Sequence, residues 1–171
     1  MSPRTLRSSL FLLAFLPLAL QAQKTEKKAV HQVLDSWHEA AANARFQDYF
    51  DKMTEGAVFV GTDATEHWEK EAFMSFSKPY FDRGKAWAFT PLQRHVYFGK
   101  GGQVAWFDEL LDTWMQLCRG YGVLIKEEGE WKIAHYVLSL TIPNETVDGA
   151  IELKKERDSI LRSSLLLRQP N

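Results

Sequence analysis

The sequence predicts an α+β fold: a cone-shaped, curved antiparallel sheet wrapped around N-terminal helices and enclosing a pocket. Three observations carry this. Helical apolar spacing comes first along the chain and β-type alternation follows, and helices segregated ahead of an antiparallel sheet are the α+β pattern. Residues 103–143 hold three apolar runs rich in β-branched and aromatic residues, joined by turn signals. Neither face of those runs is plainly polar, so the sheet is expected to be covered by helices on one side and by a second subunit on the other. A carboxylate, an arginine or a histidine interrupts each run, and polar groups set into such a face need partners or water. A polar-lined pocket is the expectation.

Length and composition allow one domain with a real core: 171 residues, 45% hydrophobic and 25% charged. A net charge of −1 supplies no general electrostatic reason to bind nucleic acid or an acidic membrane, and neither is expected as a partner. Six Trp, five Tyr and eleven Phe suit a bulky core or a pocket for a flat apolar ligand.

In chain order, Arg4 and Arg7 precede an apolar run over residues 10–20, and Gln21-Ala22-Gln23 follows as a cleavage site. This is the layout of a secretory signal peptide over residues 1–22, too short to span a bilayer. It predicts an exported protein, periplasmic or extracellular, free of the membrane after cleavage. Residues 24–43 read as an amphipathic helix, with Val30, Val33, Leu34, Trp37, Ala40 and Ala41 at helical spacing. His31 and His38 fall near its flanks. A short helix over 46–53, a strand over 57–60 and a returning strand over 65–68 come next, the last two joined by the turn Gly61-Thr62-Asp63-Ala64. Residues 69–81 look helical, with Phe73, Phe76 and Tyr80 inward and a kink or new turn at Pro79. Residues 86–98 alternate like a strand bent at Pro91.

The strands of residues 103–143 follow. Side chains alternate between faces, so Trp106, Asp108, Leu110 and Asp112 share one face and Phe107, Glu109 and Leu111 the other. A Glu-Glu-Gly-Glu turn over 127–130 signals the final hairpin. Helical periodicity returns over 146–160, and a loose tail ends the chain. The domain reading is a leader over 1–22, an α+β barrel over 23–143, and a C-terminal helix and tail over 144–171.

The AVFVG strand before a polar turn, the VAWF strand, the long first helix carrying Trp37, and the closing stretch EGEWKIAHYVLS support a family suggestion. From about Lys24 to Pro143 the chain resembles the nuclear transport factor 2-like superfamily, within it the SnoaL-like domains, and by fold the association domain of calmodulin-dependent kinases. The resemblance implies a cone with a pocket in its wide end and a homodimer packed through the sheets. It implies no single activity, since fold alone does not fix function.

If the cone reading holds, Asp108, Asp112 and His135 point inward on neighbouring strands. A three-residue turn in the preceding hairpin places Arg119 and Tyr121 with them, and a two-residue turn flips these out. An inward carboxylate beside an imidazole can act as a general acid–base pair; the plain alternative is a buried Asp108–Arg119 ion pair with His135 hydrogen-bonded beside it. Asp63 and Glu66 with His67 are expected at the pocket mouth, Trp68 in its wall, and Trp106 among ligand-contacting residues. The five histidines show no metal-ligand spacing, the single Cys118 makes neither a disulfide nor a thiolate site, and no phosphate loop occurs. No metal or cofactor is expected.

Three functions follow. One is a binding module holding a small, partly apolar molecule. Another is a cofactor-independent isomerase, dehydratase or cyclase using Asp108 or Asp63 with His135. The third is an assembly domain whose sheet face, with Phe107, Leu111, Tyr136 and Leu138, makes a homodimer.

Overall fold

The computed structural model describes residues 15–168, with side chains described from Gln21 onward. Its contacts divide into two compact units, Met1–Ser139 and Leu140–Asn171. Positions 1–14, which hold Arg4, Arg7 and the start of the expected leader, lie outside the described residues. Helix α1 (Phe15–Ala42) runs through Gln21-Ala22-Gln23 without a break. Among the described residues no helix is long and apolar enough to cross a membrane.

The apolar stripe read from the sequence is the buried face of α1: Val30, Leu34, Trp37, Ala40 and Ala41 are all in the core. Near its start Glu26 accepts hydrogen bonds from Lys126 Nζ and Trp131 Nε1, both at 2.8 Å, fastening the helix to the sheet. Helix α2 (Phe46–Asp51) adds Tyr49 and Phe50 to the core. Strand β1 (Met53–Val60) is longer than its apolar run suggests, and β2 is His67–Glu69. Helix α3 (Lys70–Asp82) continues through Pro79, whose missing N–H falls in the last turn.

The remaining strands are β3 (Thr90–Phe98), β4 (Val104–Thr113), β5 (Gln116–Glu127) and β6 (Glu130–Leu140), in a six-stranded sheet ordered β2-β1-β6-β5-β4-β3. The sheet is open, since β2 and β3 stand at opposite edges. The β1–β6 pair is parallel, with Phe59 beside Tyr136, which the expected all-antiparallel pattern does not contain. Residues 86–89 form no strand; β3 begins at Thr90 and its register slips between Pro91 and Gln93, where proline cannot serve the ladder.

Two turns set the registers. Thr113 pairs with Gln116 across the two residues Trp114 and Met115, and the Thr113 hydroxyl caps this turn by accepting from Met115 N at 2.9 Å. Glu128 (φ 50°) and Gly129 (φ 89°) both take positive φ at the tip of the last hairpin, as a type I′ turn requires. Within β6 the buried positions are Trp131 and Ile133, then Tyr136 and Leu138. The phase changes at Ala134-His135, beside the point where the β1–β6 register also slips; one extra residue in a strand does this.

Alternation is therefore as predicted in β4, but the inner face is the one carrying Ala105, Phe107, Glu109 and Leu111, all buried. Two expectations are corrected. Asp108 and Asp112 face away from the helices, and the expected dimer face of Phe107, Leu111, Tyr136 and Leu138 is core. Sequence alternation separates the faces without saying which is inside, and here both were apolar enough to qualify.

The second unit holds a 3-10 turn (Asn144–Thr146) and helix α4 (Val147–Leu166). That helix runs well into the stretch expected to be a loose tail, and none of its residues is fully buried.

Candidate functional site

Glu109 is the fully buried charge of the domain. Its Oε1 lies 2.7 Å from His38 Nε2 and 3.3 Å from the Tyr136 hydroxyl, and its Oε2 accepts from Arg94 Nε at 2.7 Å. Arg94 continues to Asp35 Oδ1 at 2.6 Å and to the His31 carbonyl at 3.3 Å. The network links α1 to β3, β4 and β6. Burial pushes the Glu109 carboxyl upward, but the hydrogen bond and charge of His38 and the Arg94 guanidinium outweigh it, and the group titrates below the usual carboxylate range. Burial raises the Tyr136 phenol well above its ordinary value, and the neighbouring Glu109 charge adds to it. The Tyr49 phenol is raised by burial too, with the Trp87 indole offsetting part of the rise.

Gly120 makes room for this network. A Cβ there would lie 2.3 Å from Tyr136 Oη and 3.0 Å from Glu109 Oε1. The neighbouring glycine of the same strand, Gly122, would bring a Cβ to 2.2 Å from the His135 carbonyl oxygen.

An open cleft of about 320 Å³ lies nearby, within the first unit. Buried Phe59, Phe73 and Leu138 form its deep part, half-buried Ala86, Trp87 and Phe89 its middle, and exposed Phe76, Tyr80 and Trp114 its rim. Gly61, Thr62 and Glu66 bring the β1–β2 turn to its edge. The size is at the small end of ligand sites, and an apolar wall with few polar groups is their usual character. Its rings are arranged face to face: Phe59 on Phe73 at 4.1 Å and 12°, and Phe73 on Phe76 at 6.4 Å and 19°. The Glu109 network sits one ring behind this wall, since Phe59 stacks on Tyr136 and Phe89 packs on His38. None of His38, Glu109, Arg94 or Tyr136 lines the cleft.

The residues singled out in the sequence fall in two places. Asp63, His67 and Trp68 lie in or beside the β1–β2 turn. Asp63 Oδ1 accepts from Thr65 N and Oγ1 at 2.8 and 2.6 Å, an Asx-type turn. His67 is exposed, and Trp68 stacks on Phe76 at 4.8 Å. The others occupy the outer sheet face. Trp106 stacks on Tyr97 at 5.9 Å. Asp108 lies 3.0 Å from His95 Nδ1 and 3.9 Å from Arg119 Nη1, directly opposite Tyr121. Asp112 is exposed opposite Leu117, and Arg119 opposite Leu110. The two-residue turn keeps Arg119 and Tyr121 on the face of Asp108, where a three-residue turn was expected to be needed, and that face is the outer one. His135 pairs with Val58, on the side of β6 away from Tyr136. The expected buried Asp108–Arg119–His135 cluster is thus an exposed Asp108–Arg119–His95 cluster. Asp108 and His135 do not line the cleft.

Sequence reasoning missed His38 and Arg94, and placed Glu109 without using it. The available signal was a glutamate in phase with Phe107 and Leu111, which demands a buried cationic partner. Among the described residues no group of three or more His, Cys, Asp or Glu gathers to hold a metal.

Open sheet, long first helix and interior cleft together define a nuclear transport factor 2-like fold. The chain belongs to the SnoaL-like domain family, whose profile matches residues 30–143. Among curated proteins none matches the sequence. Similar solved structures include an NTF2-like protein of unknown function from Pseudomonas putida KT2440, at 16% identity and TM-score 0.59, covering 72% of this chain and 92% of that one. A candidate dehydratase of the NTF2-like family from Streptomyces avermitilis is similar at 13% identity and TM-score 0.61, covering 71% and 99%. The association domain of C. elegans CaMKII is similar at 19% identity and TM-score 0.58, covering 70% and 98%. At these identities the likeness is one of fold.

Proposed function

We propose that this chain is a ligand-binding member of its family, holding a small, partly apolar molecule in the aromatic cleft and working as a homodimer after export. The observation that carries the reading is the make-up of the cleft. Seven aromatic rings line it, and its only titratable groups are the Glu66 carboxylate and the Tyr80 phenol. General acid–base chemistry needs a base within hydrogen-bond reach of the substrate proton. The interior imidazole–carboxylate pair, His38 with Glu109, stands behind Phe59 and Phe89 and is already saturated by Arg94 and Tyr136. This favours binding over the isomerase or dehydratase alternative, although candidate dehydratases share the fold.

The dimer part of the reading rests on the outer face, where Tyr97, Trp106, Leu117 and Tyr121 are each 43–47% exposed around the Asp108 cluster. Export rests on the leader pattern of residues 1–22.

Native mass spectrometry on protein recovered from an exporting host tests all three parts. A dimer beginning near Gln23, with a small-molecule adduct lost in Trp87→Ala, is expected. A chain that stays empty in every preparation and does not take up a neutral aromatic probe overturns the binding reading.

A further inference from the structure

The cleft also carries a charge preference. None of its lining residues is Lys, Arg or His, and Glu66 is the one charged residue among them. The Glu66 side chain folds back over Gly61 so closely that a Cβ on that glycine would lie 2.1 Å from Glu66 Oε2. Among the described residues its carboxylate accepts one hydrogen bond, a long one of 3.2 Å from Asp63 N to Oε2. A carboxylate has about four acceptor sites, so most of its capacity is left for water or a ligand. The walls add to this, because aromatic faces carry negative potential and attract cations. The rim already shows the preference: the Arg83 guanidinium sits over the Tyr80 ring at 4.7 Å. Among the described residues no side-chain cation covers Phe76, Trp87, Phe89 or Trp114.

We infer that the cleft selects an organic cation, a substituted ammonium on a small apolar body, with the ammonium between the aromatic rim and the Glu66 carboxylate. An anion of the same shape would meet a carboxylate and ring faces, with no Lys, Arg or His among the lining residues to offset them. The inference rests on the reading of the cleft as a ligand site and adds the sign of the ligand's charge.

Three probes of matched shape separate the two ideas: phenyltrimethylammonium, tert-butylbenzene and benzenesulfonate. They are titrated into the full chain, following the tryptophan indole N–H resonances by NMR, with the Trp87 and Trp114 signals assigned by Trp→Phe substitution. The cation is expected to bind roughly tenfold tighter than the neutral probe, the scale of a partly desolvated cation on aromatic faces, and benzenesulfonate weakest. Glu66→Gln should remove most of that preference, weakening the cation far more than tert-butylbenzene. Gly61→Ala, which displaces the same carboxylate without neutralising it, should weaken the cation more than the neutral probe. Neutral and cationic probes binding equally would overturn the charge preference and leave the apolar cleft standing. No probe shifting either indole would overturn both.

Discussion

His38 Nε2 and Glu109 Oε1 meet at 2.7 Å across 71 positions of sequence, joining the first helix to strand β4 of the sheet. Both side chains are almost fully buried, at 4% and 0% exposure. A buried charge loses its hydration and depends on its partners, so removing one partner costs more than the pair contributes.

Glu109→Ala is therefore expected to destabilise the fold by about 3–5 kcal/mol, because it removes the buried acceptor shared by His38 and Arg94 Nε and leaves Arg94 only its contacts with Asp35 and the His31 carbonyl. Asp108→Ala, one position away but on the open face, should cost less than about 1 kcal/mol, as expected of exposed pairs. Urea denaturation of the two variants checks the contrast. Equal losses would contradict the assignment of inner and outer faces.

Stability should depend on pH at both ends of the scale. The Glu109 carboxyl is depressed in the folded chain, so its contribution is present above the unfolded carboxylate range and fades as pH falls through its lower folded value. The Tyr49 and Tyr136 phenols are raised, so their contribution is present below the unfolded tyrosine range, near pH 10, and fades as pH climbs above it. Thermal melts across pH should show the alkaline loss reduced in Tyr49→Phe. A Glu109→Gln variant should have a lower ceiling but a flatter acid limb.

Gly120→Ala should cost about 1–3 kcal/mol, the usual range for overpacking. Its Cβ would press on Tyr136 Oη at 2.3 Å. Combining it with Tyr136→Phe removes that atom and should recover part of the loss, a coupling that a double-mutant cycle measures. Strictly additive losses would mean that the glycine matters for another reason.

Trp106→Glu tests the proposed homodimer. Light scattering should report a monomer with an unchanged melting profile of the domain. An unaltered oligomer would exclude the outer sheet face as the contact.

How much of this was legible beforehand differs by element. The buried stripe of α1 could be read position by position, because helical spacing selects one face and the opposite face is charged. The final hairpin was legible through its Glu-Gly turn, a short-range hairpin signal. The inside of the sheet was not, since Trp106 and Leu110 make one face of β4 about as apolar as Phe107 and Leu111 make the other. The phase change at Ala134-His135 was hidden for a similar reason: nothing in IAHY marks an extra residue. The cleft draws on β1, the β1–β2 turn, α3, residues 86–89, the β4–β5 turn and β6, and only tertiary structure brings those together.

The parallel pairing of β1 with β6 has a consequence for how the chain reaches its folded state. The first strand of the sheet finds its partner in the last, so the sheet is completed by a pairing between segments far apart in the sequence, as Val58 with His135. Loop-closure entropy makes such pairings late and slow. Until β6 is available, Phe59 lacks Tyr136, Trp37 lacks its edge contact with the same ring, and Glu109 lacks one of its donors. A nascent or truncated chain ending before β6 exposes the aromatic interior and an unpaired β1 edge, the two features that invite aggregation. The last strand thus acts as the licence for the whole domain, and quality control that recognises exposed aromatic surface would have the longest opportunity to act on this protein just before β6 docks.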